Sequence, residues 1–315
     1  MSRMQIRHTS ETKSETERKI GVVGAGQMVQ STLLLCRLNN DDVFTNFLIF
    51  RQGLGIALVA ANIAKLPVKI LDANPEQIKK GLAFIDIAKN RITRDHANAT
   101  KSRITTVNDI SAFNDLDFVI EAVSENVDLK CSIFSELDKV TKSDAILATN
   151  TSSISITRIA AATKKPEKVI GMHFMNPVPV MKLIEIIPGL ATSDQTRNTT
   201  LSLATEMGKT CTKSQDVPGF VANRILMPYI NEAVMVLEQG ISSREDIDAT
   251  MKLGTNSPMG PLTLADFIGL DTCLAIIKVL HQEIGDTKYR PAVLLQKYVD
   301  AGWLGRKSGR GFYEY

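Results

Sequence analysis

A short apolar run that leads straight into two close glycines constrains the fold of this 315-residue chain more than any other feature. Lys19-Ile-Gly-Val-Val23 reads as a buried strand, and Gly24-Ala-Gly-Gln-Met28 follows it without a spacer. In such a junction the first glycine makes a tight bend. The second lets the backbone approach a pyrophosphate at a helix N-terminus. Strand then Gly-x-Gly is therefore the opening of a dinucleotide-binding unit. The third glycine belongs at position 29, where the chain has Val29.

The rest of the unit is present but displaced. Gly53-Leu-Gly-Ile-Ala-Leu-Val-Ala-Ala-Asn-Ile-Ala-Lys65 has the small residues of a helix packed close to a sheet, and Val68-Lys-Ile-Leu71 is a second strand ending at Asp72. An acid about 20 residues after the glycines accepts hydrogen bonds from a ribose. Here the separation is more than twice that. Removing Val29–Gln52 restores the spacing and moves Gly53 into the vacant third place. The segment begins with Val, whose codons start GT, and ends with Gln, one of whose codons ends AG. It is read as a translated intron, with a genuine insertion as the alternative. The absence of Arg in Ala73-Asn-Pro75 favours NAD over NADP.

Helix and strand signals alternate downstream. Helices are expected at Ile78–Lys89, Asp128–Val140 and Ile154–Ala162, and strands at Phe118–Val123, Ala145–Ala148, Val169–Phe174 and Leu183–Ile187. Residues 90–109 read as an irregular connection. This order predicts an α/β fold with a doubly wound sheet over 19–214, its ligand groups at the carboxyl ends of the strands. From Asp216-Val-Pro-Gly-Phe220 onward the texture is helical, with starts near Val221, Arg244, Pro261 and Pro291, so 215–315 is expected to be an α-helical C-terminal domain. Residues 1–18 read as a disordered tail.

Composition excludes several function classes. A net charge of +3 is too small to argue for nucleic acid. No apolar run reaches the roughly 18–20 residues of a membrane span. Cys36, Cys131, Cys211 and Cys273 have neither metal nor redox spacing and read as thiols of a reducing compartment. Glu11, Glu15 and Glu17 argue against a complete transit peptide, and Tyr313-Glu-Tyr315 is not a peroxisomal address. The mitochondrial matrix or the cytoplasm is the expected location.

The chemistry is concentrated in 171–185. His173 ends one apolar run, Glu185 lies inside the next, and a Pro-rich turn separates them. Paired strands there let a carboxylate hold one imidazole nitrogen and leave the other free to accept a proton. An isolated pair of this kind is more often a core His beside a surface Glu. The cofactor signal upstream shifts the balance.

With these motifs in view, the chain resembles the L-3-hydroxyacyl-CoA dehydrogenases, over residues 19–28 and 53–315. The resemblance is carried by Gly24-Ala-Gly-Gln-Met28, Asn150-Thr-Ser-Ser153, His173-Phe-Met-Asn-Pro177, Pro218-Gly-Phe-Val-Ala-Asn-Arg224 and Gly302-Trp-Leu-Gly-Arg-Lys-Ser-Gly-Arg-Gly-Phe312. It implies a Rossmann-type sheet followed by a helical dimerisation domain, NAD as cofactor, an acyl-CoA substrate and a homodimer. It implies that His173 is the general base, Glu185 its partner, and Ser152 and Asn223 the polar groups around the substrate's 3-oxygen. Gly24, Gly26, Gln27, Met28, Gly53, Asp72, Glu125, Lys130 and Asn150 match cofactor positions. Lys89–Ile104 looks shorter than the family's clasp over CoA. Two other readings stay open: a dehydrogenase of a hydroxy acid without CoA, and a non-catalytic relative impaired by Val29–Gln52. For Ser152 the plain alternative is a helix cap, and for Asn223 a local turn contact.

Overall fold

A computed structural model describes residues 18–24, 52–73, 78 and 94–315. Its strands are β1 (Ile20–Val23), β2 (Val68–Leu71), β3 (Ile104–Val107), β4 (Phe118–Glu121), β5 (Ile146–Thr149), β6 (Val169–Phe174), β7 (Leu183–Pro188) and β8 (Thr210–Lys213). They form one sheet in the order β3-β2-β1-β4-β5-β6-β7-β8. Neighbours from β3 to β6 are parallel, β7 runs antiparallel to β6, and β8 runs parallel to β7.

The central strands are apolar because both faces are covered. Every residue of β1, β4, β5 and β6 is buried. On one face lie α1 (Gln52–Asn62) and α5 (Asp194–Glu206), whose Leu54, Ile56, Leu203 and Ala204 pack with Ile20, Ile70, Ile120 and Ile184. On the other lie α3 (Val127–Val140) and α4 (Ile156–Ala160), bringing Phe134, Leu137, Ile156 and Ile159 against Val119, Leu147 and Ile187. A further helix, α2 (Arg94–Ser102), precedes β3.

The helical half comprises α6 (Ala222–Glu238), α7 (Arg244–Gly254), α8 (Pro261–Ile268), α9 (Leu270–Ile284) and α10 (Val293–Asp300). It has its own core, built from Met227, Ile230, Val234, Leu262, Leu274, Ile277, Leu280, Leu295 and Phe312.

The doubly wound sheet and the helical second domain agree with the sequence reading, and several details differ. Residues 90–109 contain α2 and the edge strand β3, whose residues are half-buried or exposed and so lack an apolar run to announce it. The polar β8, Thr-Cys-Thr-Lys, is hidden in the same way at the other edge. The helix expected over Ile154–Ala162 is limited to α4, because Ser155 caps it. The helix expected from Pro261 is two, broken at Gly269. Arg18, the last residue of the expected tail, pairs with Glu206 at 3.3 Å. Gln52, assigned to the excisable segment, is the first residue of α1. Residues 1–17, the rest of Val29–Gln52, and most of Ile78–Lys89 lie outside the described residues.

Candidate active site

The cofactor end is built at the carboxyl ends of β1 and β2. Gly24 leaves β1 with φ of +86° and donates its N–H to Leu71 O at 2.8 Å. A Cβ there would stand 2.7 Å from Val123 Cγ1 and 2.9 Å from Val123 N, so only glycine lets the chain turn this close to β4. Because Val23 pairs with Leu71, Asp72 follows on the neighbouring strand end, beside Gly24. Gly53 lies buried in the first turn of α1, and Gln52 Oε1 accepts a 2.8 Å hydrogen bond from Asn150 Nδ2. The start of α1 is thereby held over the end of β5. A close-packed glycine bend, a helix N-terminus and an acid at the β2 end fit a dinucleotide. Gly26, Gln27 and Met28 lie outside the described residues.

The reactive pair stands where the antiparallel β7 joins the sheet. His173 and Glu185 are direct cross-strand partners, and both are buried. Imidazole Nδ1 donates to Glu185 Oε2 at 2.8 Å. The other carboxylate oxygen, Oε1, accepts the N–H groups of Val221 and Ala222, each at 3.0 Å, at the start of α6. Burial opposes the charge of Glu185. The hydrogen bonds from His173, Ala222 and Val221 outweigh it and hold its carboxyl below the usual range. The turn that presents those N–H groups is tight: Phe220 adopts φ of +49°, and its ring lies 5.7 Å from the imidazole. Among the described residues Nε2 of His173 has no hydrogen-bond partner.

Ser152 and Asn223 come from different domains and meet here. Asn223 Nδ2 donates to Ser152 O at 3.3 Å, a contact across the interdomain junction. The cap of α4 is Ser155, so Ser152 is not a helix cap. Its hydroxyl donates to Glu125 Oε1 at 3.1 Å, and that oxygen also accepts Thr151 Oγ1, Ser153 Oγ and the N–H groups of Ser152 and Ser153. Burial works against the charge of Glu125. Lys130 and these donors override it and leave its pKa lowered.

Two residues expected to line the cofactor have hydrogen-bond partners inside the protein. Lys130 is wholly buried: Nζ donates to Glu121 Oε1 at 2.7 Å and to Val123 O at 3.2 Å, and lies 3.8 Å from Glu125 Oε2. An ammonium removed from water in this way requires carboxylate partners, which Glu121 and Glu125 supply. Asn150 uses both ends of its amide inside the protein: Oδ1 accepts Phe174 N–H at 2.9 Å while Nδ2 holds Gln52. It ties β5 to the strand end that carries His173.

Sequence reasoning missed Glu121 and Asp216. Glu121 is fully buried, with Oε2 accepting from Thr149 Oγ1 at 2.7 Å. A lone acid ending the apolar run Phe-Val-Ile was the signal for it. Asp216 Oδ1 and Oδ2 accept the N–H groups of Ile156 and Thr157, so the interdomain linker is bound to the start of α4. No spacing pattern announces that contact.

A doubly wound nucleotide sheet, closed by a helical domain over a carboxylate-backed imidazole, defines a nicotinamide-dependent dehydrogenase of secondary alcohols. Residues 51–217 match the family described as 3-hydroxyacyl-CoA dehydrogenase, NAD binding domain, and residues 219–315 match its C-terminal domain. The chain belongs to the 3-hydroxyacyl-CoA dehydrogenase family, and it is an NAD-dependent oxidoreductase. It is 51% identical to a probable 3-hydroxybutyryl-CoA dehydrogenase of Bacillus subtilis, over 84% of this chain and 94% of that protein. It is 47% identical to 3-hydroxybutyryl-CoA dehydrogenase of Bradyrhizobium diazoefficiens, over 95% of each. The crystal structure of (S)-3-hydroxybutyryl-CoA dehydrogenase from Ralstonia eutropha superposes with a TM-score of 0.83 at 42% identity, covering 95% of this chain and 99% of that one.

Proposed function

We propose that the chain interconverts a short-chain L-3-hydroxyacyl-CoA, 3-hydroxybutanoyl-CoA foremost, and its 3-oxoacyl-CoA, with His173 as general base. The observation that carries this reading is the buried His173–Glu185 pair, which leaves Nε2 without a hydrogen-bond partner among the described residues. Bound NAD supplies the hydride acceptor. His173 Nε2 takes the hydroxyl proton while Nδ1–H stays on Glu185, whose negative charge stabilises the imidazolium. The Ser152 hydroxyl donates to Glu125 here, and turned onto the substrate it would offer the 3-oxygen a donor while the substrate O–H goes to His173. Asn223 keeps a second amide N–H, suited to a carbonyl oxygen.

The names of the similar proteins support the CoA ester and the four-carbon chain. Measuring NADH oxidation with acetoacetyl-CoA, longer 3-oxoacyl-CoA esters and free acetoacetate tests both points. Turnover greatest with acetoacetyl-CoA supports the reading. Turnover with free acetoacetate alone moves the enzyme to hydroxy acids without CoA.

The proposal extends to assembly and setting. A homodimer joined through the helical half is supported by apolar side chains left open there, among them Ile225, 67% exposed, and Leu253, 79% exposed. Tyr229, Val236 and Leu237 are partly buried against the helical core. The free thiols Cys131, Cys211 and Cys273 fit a reducing compartment, mitochondrial matrix or cytoplasm. Among the described residues no helix is long and apolar enough to cross a membrane. The segment Val29–Gln52 remains proposed as an interruption of the nucleotide turn. In support, the NAD-domain match begins at residue 51, although β1 lies near the middle of the sheet.

A further inference from the structure

We propose that Lys209 is a positioning residue for cofactor binding: its ammonium ties down the turn between β6 and β7 so that Val178 and Pro179 brace the helix that follows the nucleotide turn. The inference rests on the dehydrogenase reading above and assigns a part to a residue outside the dyad.

The ammonium of Lys209 donates to Val178 O at 2.5 Å and to Met181 O at 2.8 Å. Within that turn the N–H groups of Val180 and Met181 both close onto Pro177 O, at 3.0 and 2.9 Å. The carbonyls of Val178 and Met181 therefore face Lys209 instead of a neighbouring strand. Helix α5 ends just before it, with Lys209 N–H bonded back to Ala204 O at 3.1 Å, and Thr210 N–H then meets Lys182 O at 2.8 Å. The backbone is thus fixed on both sides of Lys209. Its side chain is half-buried, and burial lowers its pKa, a cost offset by the two carbonyl acceptors.

The far side of the turn presses on α1. Val178 is 2% exposed and belongs to the same core as Leu54 and Ile56. A Cβ on Gly55 would lie 3.0 Å from Val178 Cβ and 3.4 Å from Pro179 Cδ, so helix and turn approach as closely as a glycine allows. The N-terminus of α1 is the end that meets a pyrophosphate. A turn released from Lys209 no longer fixes the height of that helix above the sheet.

Lys209→Met removes the charge and keeps the stem, whereas Lys209→Arg keeps a cation able to reach both carbonyls. Hydrogen exchange on the unliganded full chain should show the Val180 and Met181 amides exchanging about tenfold faster in Lys209→Met, and within about threefold of the parent in Lys209→Arg. The dissociation constant for NADH, read by its fluorescence, should rise about tenfold in Lys209→Met and recover in Lys209→Arg. The kcat with acetoacetyl-CoA should stay within about threefold. Unchanged NADH affinity in Lys209→Met overturns the proposal. Faster exchange spread over β1 and β4 as well overturns it too, as the mark of a merely structural role. A parent that binds NADH but does not turn over acetoacetyl-CoA defeats the substrate reading and leaves the Lys209 test intact.

Discussion

Glu185 gives one carboxylate oxygen to His173 Nδ1, at 2.8 Å, and the other to two N–H groups at the start of α6. One side chain therefore sets the imidazole's orientation and fastens the two domains at the point where chemistry occurs. Glu185→Gln should lose both functions in part. Stability should fall by about 2 kcal/mol, the scale of hydrogen bonds made to a charged group. The pH–rate profile of the remaining activity should shift, because the imidazolium loses its counter-charge. Urea unfolding and a pH–rate series check the two effects separately. An unchanged profile would reject the pairing as functional.

The same carboxylate carries a pH signature. The folded pKa of Glu185 lies below its ordinary value, as does that of Glu125. Such groups add stability above the unfolded carboxylate value of about 4.3, and the contribution is lost as pH falls through the lower folded value. The stability gap between parent and Glu185→Gln should shrink below about pH 4. A gap that persists undiminished in strong acid would mean that Glu185 is not ionised in the native protein.

Deleting Val29–Gln52 should strengthen NADH binding by about tenfold or more, the scale of one or two restored backbone contacts to a charged group. The added Leu33–Leu35 and Phe47–Phe50 are apolar and should make the full chain the less soluble form. Since Gln52 starts α1, a second deletion ending at Arg51 shows whether its bond to Asn150 matters. Equal NADH affinity with and without the segment would show that it is a tolerated loop, which loop entropy alone permits.

Light scattering at micromolar concentration should give the mass of a dimer. Ile225→Asp, on the exposed face of α6, should shift it toward the monomer without unfolding the helical core, since Ile225 is 67% exposed. A monomeric parent would contradict the proposed assembly.

Much of this fold was legible because buried parallel strands are written in continuous apolar runs: Val169–Phe174 was read with its observed bounds. β3 and β8 escaped because an edge strand buries one face or less, so Ile-Thr-Thr-Val and Thr-Cys-Thr-Lys have no such run. In the site, His173 and Glu185 could be paired from sequence because a strand–turn–strand puts them opposite each other. Ser152 and Asn223 were joined through the family resemblance alone, since no local pattern links residues of two domains. Lys130 and Asn150 show the opposite limit. The family resemblance matches them to cofactor positions, whereas the internal partners that hold their side chains, such as Glu121 and Phe174, are not revealed by spacing.

The central claim is that His173 moves the proton. The direct measurement is kcat for NAD-dependent oxidation of L-3-hydroxybutanoyl-CoA by His173→Ala, with NADH affinity measured alongside. A fall of roughly 10² to 10⁴-fold in kcat, with NADH affinity nearly unchanged, is the expected result. A kcat within a few-fold of the parent would contradict it.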